Sequence, residues 1–166
     1  MPLINRKTYA LIAFMGLLSS ASWALPGDRN EPITGQADSM QMDQKSGIAT
    51  YSGNVNLTQG SLNIRADIIR VHMDKNNEIT KITATGKPAF FVQQPSEDQA
   101  VVNASATEIT YSPSDERLLL IENALIEQDG QKLNAPRIDY DLLKEVMKAD
   151  QVGESRVDIF IPARKK

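Results

Sequence analysis

The sequence predicts an all-β fold, a sandwich, jelly roll or barrel elongated from two similar halves. Three observations carry this expectation. Apolar and polar residues alternate with period two over short runs, turn-forming residues punctuate the runs every 8–12 residues or so, and the chain resembles itself at an offset of 69 positions.

From the amino terminus, the first segment reads as a leader outside the fold. Arg6 and Lys7 precede an uncharged apolar stretch over 10–18 that is too short to span a bilayer, and Ser22-Trp23-Ala24 places small residues before a cleavage point. Cleavage after Ala24 is expected, leaving one domain over 25–166 whose end, 163–166, is expected to be disordered. No cysteine follows the cleavage point, so lipid attachment there is excluded and an exported, periplasmic protein is expected.

The clearest strands follow Gly53. Val55 and Leu57 alternate with Asn56 and Thr58, a turn is expected at Gln59-Gly60, and Leu62, Ile64 and Ala66 alternate with Asn63 and Arg65. Two such runs joined by a glycine turn predict a hairpin. Beyond Ala66 the phase slips, with Ile69, Val71 and Met73 on one face and Arg70 and His72 on the other, and a bulge at Asp67-Ile68 accounts for the slip. Further strands are expected at 78–85, 89–93, 106–111, 117–122, 125–128, 132–135, 137–142 and 156–161. Between them stand Asp74-Lys75-Asn76-Asn77, Gly86-Lys87-Pro88, Ser112-Pro113-Ser114-Asp115 and Asp129-Gly130, all turn chemistry. The run 141–149 has a helical alternative, and strand–turn–strand is the reading taken.

The internal repeat strengthens the β reading. A shift of 69 places superposes Ala37 on Ala106, Asn54 on Asn123, Gln59 on Gln128, Ala66 on Ala135 and Ile69 on Ile138. The same frame sets Leu57 on Ile126 and Ile64 on Leu133, so the apolar slots stay in register, as duplication of a multi-strand unit requires. Ala37, Ala66, Ala106 and Ala135 also begin similar Ala-x-x-Ile/Met corners, which predicts the same turn recurring in a repetitive sheet.

Composition excludes much chemistry. With no cysteine among 166 residues, a thiol nucleophile, a CxxC pair, a cysteine zinc or iron–sulfur site and a disulfide framework are all ruled out. The net charge of −3 lacks the basic excess that phosphate backbones demand. His72, the single histidine, alternates with Arg70 on the polar face and has no triad around it. Asp139/Asp141 and Glu97/Asp98 have the residue types of glycosidic acid–base pairs, but they fall on polar parity or in a loop and read as solvated charges. No Gly-rich phosphate loop, HExxH or EF-hand pattern occurs. A non-enzyme without metal or cofactor is expected.

The apolar residues are more informative. Past the leader, the aromatics are Tyr51, Phe90, Phe91, Tyr111, Tyr140 and Phe160, and the remaining apolar positions are Ile, Val, Leu, Met and Ala. Composition leaves two readings open: a filled aliphatic core serving a structural or adaptor module, or an aliphatic interior that admits acyl chains. Alternation places Val55, Leu57, Leu62, Ile64, Ile69, Val71, Ile109, Tyr111, Leu118, Leu120, Ile126, Leu133, Ile138 and Tyr140 on that interior. The terminal run 157–161, with Val157, Ile159, Phe160 and Ile161, reads as an exposed edge strand, and Pro162 with Arg164, Lys165 and Lys166 as its stop.

A resemblance bears on the choice. Residues 51–67, YSGNVNLTQGSLNIRAD, look like the signature of the OstA-like family. Pro32-Ile33, Ala37-Asp38, Asp43, Gly47, Gly86-Lys87-Pro88-Ala89, Tyr111 and the terminal VDIFIP fit the same pattern over nearly all of 27–162. Where the family has a second apolar residue after Ile33, this chain has Gly35. The resemblance implies a slightly twisted antiparallel jelly roll, folded over like a taco and open at both ends, with the acyl chains of lipopolysaccharide (lipid A) in its cleft. It further implies head-to-tail self-association into a bridge from inner-membrane LptC to outer-membrane LptD. Lipid-contacting positions carry over onto Ile33, Phe91 and Tyr111, beside the interior residues Val55, Leu57, Ile64, Ile69, Ile109, Leu120, Ile126 and Tyr140. The self-association edge would join 157–161 of one copy to the region of Ile33 in the next. Energetics favour a groove over a closed cavity. One fully buried twelve-carbon chain is worth about 9 kcal/mol at ~0.8 per methylene, and several would pass the practical ceiling of roughly 20 kcal/mol, beyond which a carrier could not release.

Overall fold

A computed structural model of the chain describes residues 28–163; the leader reading and residues 164–166 lie outside them. After a short 3₁₀ turn, Asp28–Asn30, come ten strands: β1 Thr34–Gln36, β2 Ser39–Asp43, β3 Ile48–Gln59, β4 Leu62–Met73, β5 Ile79–Gln93, β6 Val102–Ser112, β7 Arg117–Gln128, β8 Gln131–Asp141, β9 Val146–Asp150 and β10 Asp158–Phe160. They form one antiparallel sheet in the order β1-β3-β4-β5-β6-β7-β8-β10, with β2 also on β3 and β9 also on β8. Its first and last strands do not pair, so the sheet is unclosed.

The predicted duplication is real in the backbone. β3 and β7 begin and end 69 residues apart, and β4 and β8 begin at the same offset. Each named pair of the first ladders recurs at that shift: Thr34↔Thr58 becomes Asn103↔Glu127, Ser39↔Ser52 becomes Glu108↔Ile121, and Val55↔Ala66 becomes Ala124↔Ala135. Left-handed backbone repeats as well, at Gly47 and Glu116, Gly53 and Glu122, Asn54 and Asn123, and Gly60 and Asp129.

Several predicted strands are longer than the sequence suggested. The expected pairs 78–85 with 89–93, 117–122 with 125–128, and 132–135 with 137–142 are single strands, β5, β7 and β8. What the sequence marks as turns inside them are bulges, where alternation slips while the chain continues in the same direction. In β5 the slip contains a cis Lys87-Pro88 peptide. The first hairpin turns at Gly60-Ser61, one residue later than expected, because Gln59 still pairs with Leu62. β1 and β2 escaped the reading because every residue in them is exposed and shows no alternation. The run 141–149 is strand–turn–strand, with Asp141 pairing Val146 across the turn.

Five of the six register shifts fall at one level; the sixth, between His72 and Met73, lies at the end of β4. The five occur between Ser52/Val55, Arg65/Ile68, Thr85/Ala89, Ser105/Glu108 and Ile121/Ala124, and β8 changes partner between Asn134 and Arg137. The recurring Ala66, Ala106 and Ala135 sit on this line. Bulges bend strands, and a row of them folds the sheet across its strands. Tyr140 demonstrates the fold: it pairs with Leu118, yet its hydroxyl donates to Gln128 Oε1 at 2.8 Å. Gln128 lies ten residues further along β7, roughly 33 Å away in a straight strand. Phe91 pairs with Ala104 and Tyr111 lies seven residues beyond it on β6, but the two rings pack with centroids 5.3 Å apart. The leaves on either side of the crease therefore face each other, and the buried core lies between them. Ile69, Ala84, Phe91, Leu118, Leu120 and Ile138 are sealed there completely.

Candidate functional site: the interior and its two mouths

Alternation along β3–β8 carries the interior residues inward, and the structure brings them together in one cluster. Val55, Leu57, Ile64, Ile69, Phe91, Ile109, Tyr111, Leu120, Ile126 and Tyr140 are all buried, none more than 3% exposed. Ile33 is different: it precedes β1 outside the core and is 39% exposed. The interior holds very few polar atoms, and its wall is aliphatic apart from Phe91, Tyr111 and Tyr140, with Tyr51 partly buried against it.

Towards the last strands the gap between the leaves opens into a cleft of about 610 Å³. Ile126, Leu133, Tyr140, Met147, Ala149 and Ile159 form its apolar wall, and Gln99, Gln128, Lys132 and Glu145 its polar rim. The Tyr140 hydroxyl donates to Gln128, which in turn donates to the Ala100 carbonyl at 3.2 Å. Burial pushes the Tyr140 phenol upward from its ordinary range, partly opposed by the Gln128 hydrogen bond. Gln99 Nε2 donates to Glu145 Oε1 and ties the loop after β5 to the turn before β9. Gln128 and Met147 were not singled out from the sequence. The identity of Gln59 and Gln128 in the repeat was the available signal for the first, and Met147 lies in the run whose secondary structure was ambiguous.

At the opposite end, a smaller cleft of about 190 Å³ lies among Asp28, Gln59, Leu62, Gln93, Tyr111 and Glu116. Asp28 and Asn30 of the 3₁₀ turn are among its lining residues. Thus the interior has a wide cleft at one end and a narrower one, lined in part by the 3₁₀ turn, at the other.

The edges bear exposed apolar residues. β1 and β2 pair only with β3, and β9 and β10 only with β8, among the described residues. Val157 is 39% exposed, Ile159 67%, Phe160 57% and Ile161 64%, so the terminal run is an exposed edge. β10 itself is shorter than the predicted strand, with Val157 and Ile161 flanking it.

Of the remaining titratable candidates, Asp139 and Asp141 are engaged in ion pairs. Arg117 donates Nε and Nη2 to the two Asp139 oxygens, each at 2.7 Å, and this pairing holds the Asp139 carboxyl below its usual range. Asp141 accepts the Lys144 backbone N–H and Nζ at 2.9 and 2.8 Å across the β8–β9 turn, which lowers its pKa in the same way. His72 is on the outer face, paired with Ile48 and Lys81; burial first, then Lys81 and Arg70, disfavour its charged form. Glu97 and Asp98 stand in the loop after β5.

Comparison with known proteins gives these features a setting. Residues 36–146 match a family described as "LptA/(LptD N-terminal domain) LPS transport protein". The lipopolysaccharide export system protein LptH of Pseudomonas aeruginosa is 36% identical over 165 residues, spanning 95% of this chain and 93% of its own length. LptA of Haemophilus influenzae is 34% identical, spanning 99% and 96%. LptA of Escherichia coli K12 is 26% identical, spanning 96% and 88%. The crystal structure of P. aeruginosa LptH, titled the LptA-homologous periplasmic component of the lipopolysaccharide transport device, superposes with a TM-score of 0.76 at 34% identity, covering 83% of this chain and all of that one.

Proposed function

The chain belongs to the LptA/(LptD N-terminal domain) family of lipopolysaccharide transport proteins, and from that premise we propose that it carries lipopolysaccharide across the periplasm by holding acyl chains between the two leaves of its folded sheet. The observation that carries the reading is the open mouth: the aliphatic interior reaches solvent through a cleft of about 610 Å³ flanked by two edge strands. Acyl chains enter there, against Ile126, Leu133 and Met147, and extend past Tyr140 towards Leu120, Ile109, Tyr111 and Phe91 as the leaves part. Val55, Leu57, Ile64 and Ile69 continue the same wall, and Ile33 meets lipid only at the rim. An aliphatic wall with few polar atoms gives adhesion through area without fixed points of attachment, so a bound chain slides.

The edge strands support the second half of the proposal. β10 with its flanking Val157 and Ile161 pairs with β1, beside Ile33, of the next copy, a heterologous contact that joins copies head to tail. A row of such copies would run from LptC at the inner membrane to LptD at the outer membrane. The test is photo-crosslinking in cells with a reactive side chain at Phe91 and, separately, at Arg70 on the outer face. Capture of lipopolysaccharide at Phe91 and none at Arg70 is expected; equal capture at both would overturn the interior assignment.

One observation favours a second reading. The interior residues are already sealed, which suits a structural or adaptor module with a filled core and no lipid. Native mass spectrometry of the purified protein with lipopolysaccharide separates the two: the adaptor forms no complex, whereas the carrier does.

A further inference from the structure

At the narrower cleft, a carboxylate of the chain itself occupies a set of donors. Asp28 Oδ1 accepts the Ser61 backbone N–H at 2.7 Å, and Oδ2 accepts the Ser61 hydroxyl at 2.7 Å and the Gln93 amide Nε2 at 3.0 Å. The donors come from the β3–β4 turn and the end of β5, and they converge on one anion-sized space. Gln93 is only 4% exposed, and its Oε1 has no hydrogen-bond partner among the described residues. Buried amides normally satisfy both ends, so the side chain directs its NH₂ to the carboxylate with its acceptor left over. Gly60 supplies the room. Its φ is +57°, and a Cβ there would lie 2.3 Å from Asp28 Oδ1 and 3.0 Å from Cγ.

This arrangement is not a by-product of the repeat. The equivalent positions at the β7–β8 turn are Asp129 and Gly130, which offer neither the hydroxyl nor the space. The donors carry no charge, and Glu116 lines the same cleft. Neutral donors beside an acidic neighbour suit a singly charged oxyanion and disfavour a doubly charged one.

We propose that Ser61 N–H, Ser61 Oγ–H and Gln93 Nε2–H form a binding site for a singly charged oxyanion of carboxylate shape, and that Asp28 is its tethered occupant. The segment 28–31 is then a displaceable latch at the cleft lined in part by Leu62 and Tyr111. Gln59 Nε2 steadies the latch by donating to the Glu31 carbonyl at 3.0 Å. A free carboxylate must compete with a tether whose effective concentration is on the order of millimolar, so the site is masked until Asp28 leaves. The proposal stands whether or not lipid fills the interior.

The test uses the full chain, wild type and Asp28→Ala, with ¹⁵N NMR of the Ser61 amide and the Gln93 side-chain amide during titration with sodium acetate, and with sodium chloride at equal ionic strength. Acetate should saturate the Asp28→Ala site at least tenfold more tightly than the wild-type site, moving both signals towards their wild-type positions, while chloride should not. Adding Gln93→Leu should remove the saturation. Inorganic phosphate at pH 8, a dianion, should bind at least tenfold more weakly than acetate. Identical responses of wild type and Asp28→Ala, or a non-saturating response matching chloride, would overturn the site; phosphate binding as tight as acetate would overturn its charge selectivity. If Asp28→Ala does not fold, Asp28→Asn keeps the shape without the charge and must show the same ordering over wild type.

Discussion

At residue scale, the clearest consequence of position is the titration of His72. Its imidazole lies on the outer face, where partial burial, Lys81 and Arg70 all hold its pKa below the ordinary 6.5. The unfolded chain therefore takes up a proton more readily than the folded one, and stability falls as pH drops through about 6.5 towards the depressed folded value. Urea unfolding of His72→Gln between pH 7.5 and 5.5 should show a shallower decline than wild type; parallel curves would count against this origin. In the core, Leu120 is sealed completely, and Leu120→Ala should cost about 2–5 kcal/mol, read as a lowered urea midpoint. Such interior residues were legible because pleating forces alternate side chains to opposite faces, so Leu118, Leu120, Ile138 and Tyr140 announce their side by parity alone. Ile33 had no alternating neighbours to locate it, and its place came only from a resemblance. The pairing of Tyr140 with Gln128 was illegible for another reason: it joins residues that a straight sheet would hold far apart.

At element scale, the strand breaks misled because a bulge and a turn use similar residues. Gly86-Lys87-Pro88 and Ala135-Pro136 look like chain reversals, whereas ladder partners on both sides show that the strand passes through them. The true reversals are tighter. Gly47, with φ of +67°, closes the approach to β3; its carbonyl accepts Met73 N–H at 2.8 Å, and a Cβ there would lie 2.5 Å from the Met73 carbonyl oxygen. Gly153 has a similar φ of +62° with nothing within 4 Å. Gly153→Ala should thus carry only the left-handed backbone cost, roughly 1–2 kcal/mol, and Gly47→Ala distinctly more because a backbone oxygen must move. Equal shifts in urea midpoint for the two variants would show that the contact is relieved elsewhere.

At the scale of the whole molecule, the architecture is a repeat interrupted at both ends. Each terminal strand is split, β1 with β2 along β3 and β9 with β10 along β8, and among the described residues the sheet ends in unpaired edges. Removing residues 157–166 deletes β10, which contributes only three ladder pairs. The shortened chain should remain folded by circular dichroism and lose concentration-dependent growth in light scattering; undiminished growth would refute the edge contact. The overall outline was legible, since duplication and alternation together demand a long sheet of paired halves. The direction in which that sheet folds was not, because it depends on slips aligning between strands distant in sequence. That alignment has a mechanical consequence. Ladder hydrogen bonds are interrupted along a single line from β3 to β8, so the sheet is most compliant there and stiff on either side. Deformation then reduces to one coordinate, the angle at a spine between two plates, and the capacity of the interior can change with that angle while the paired ladders stay whole.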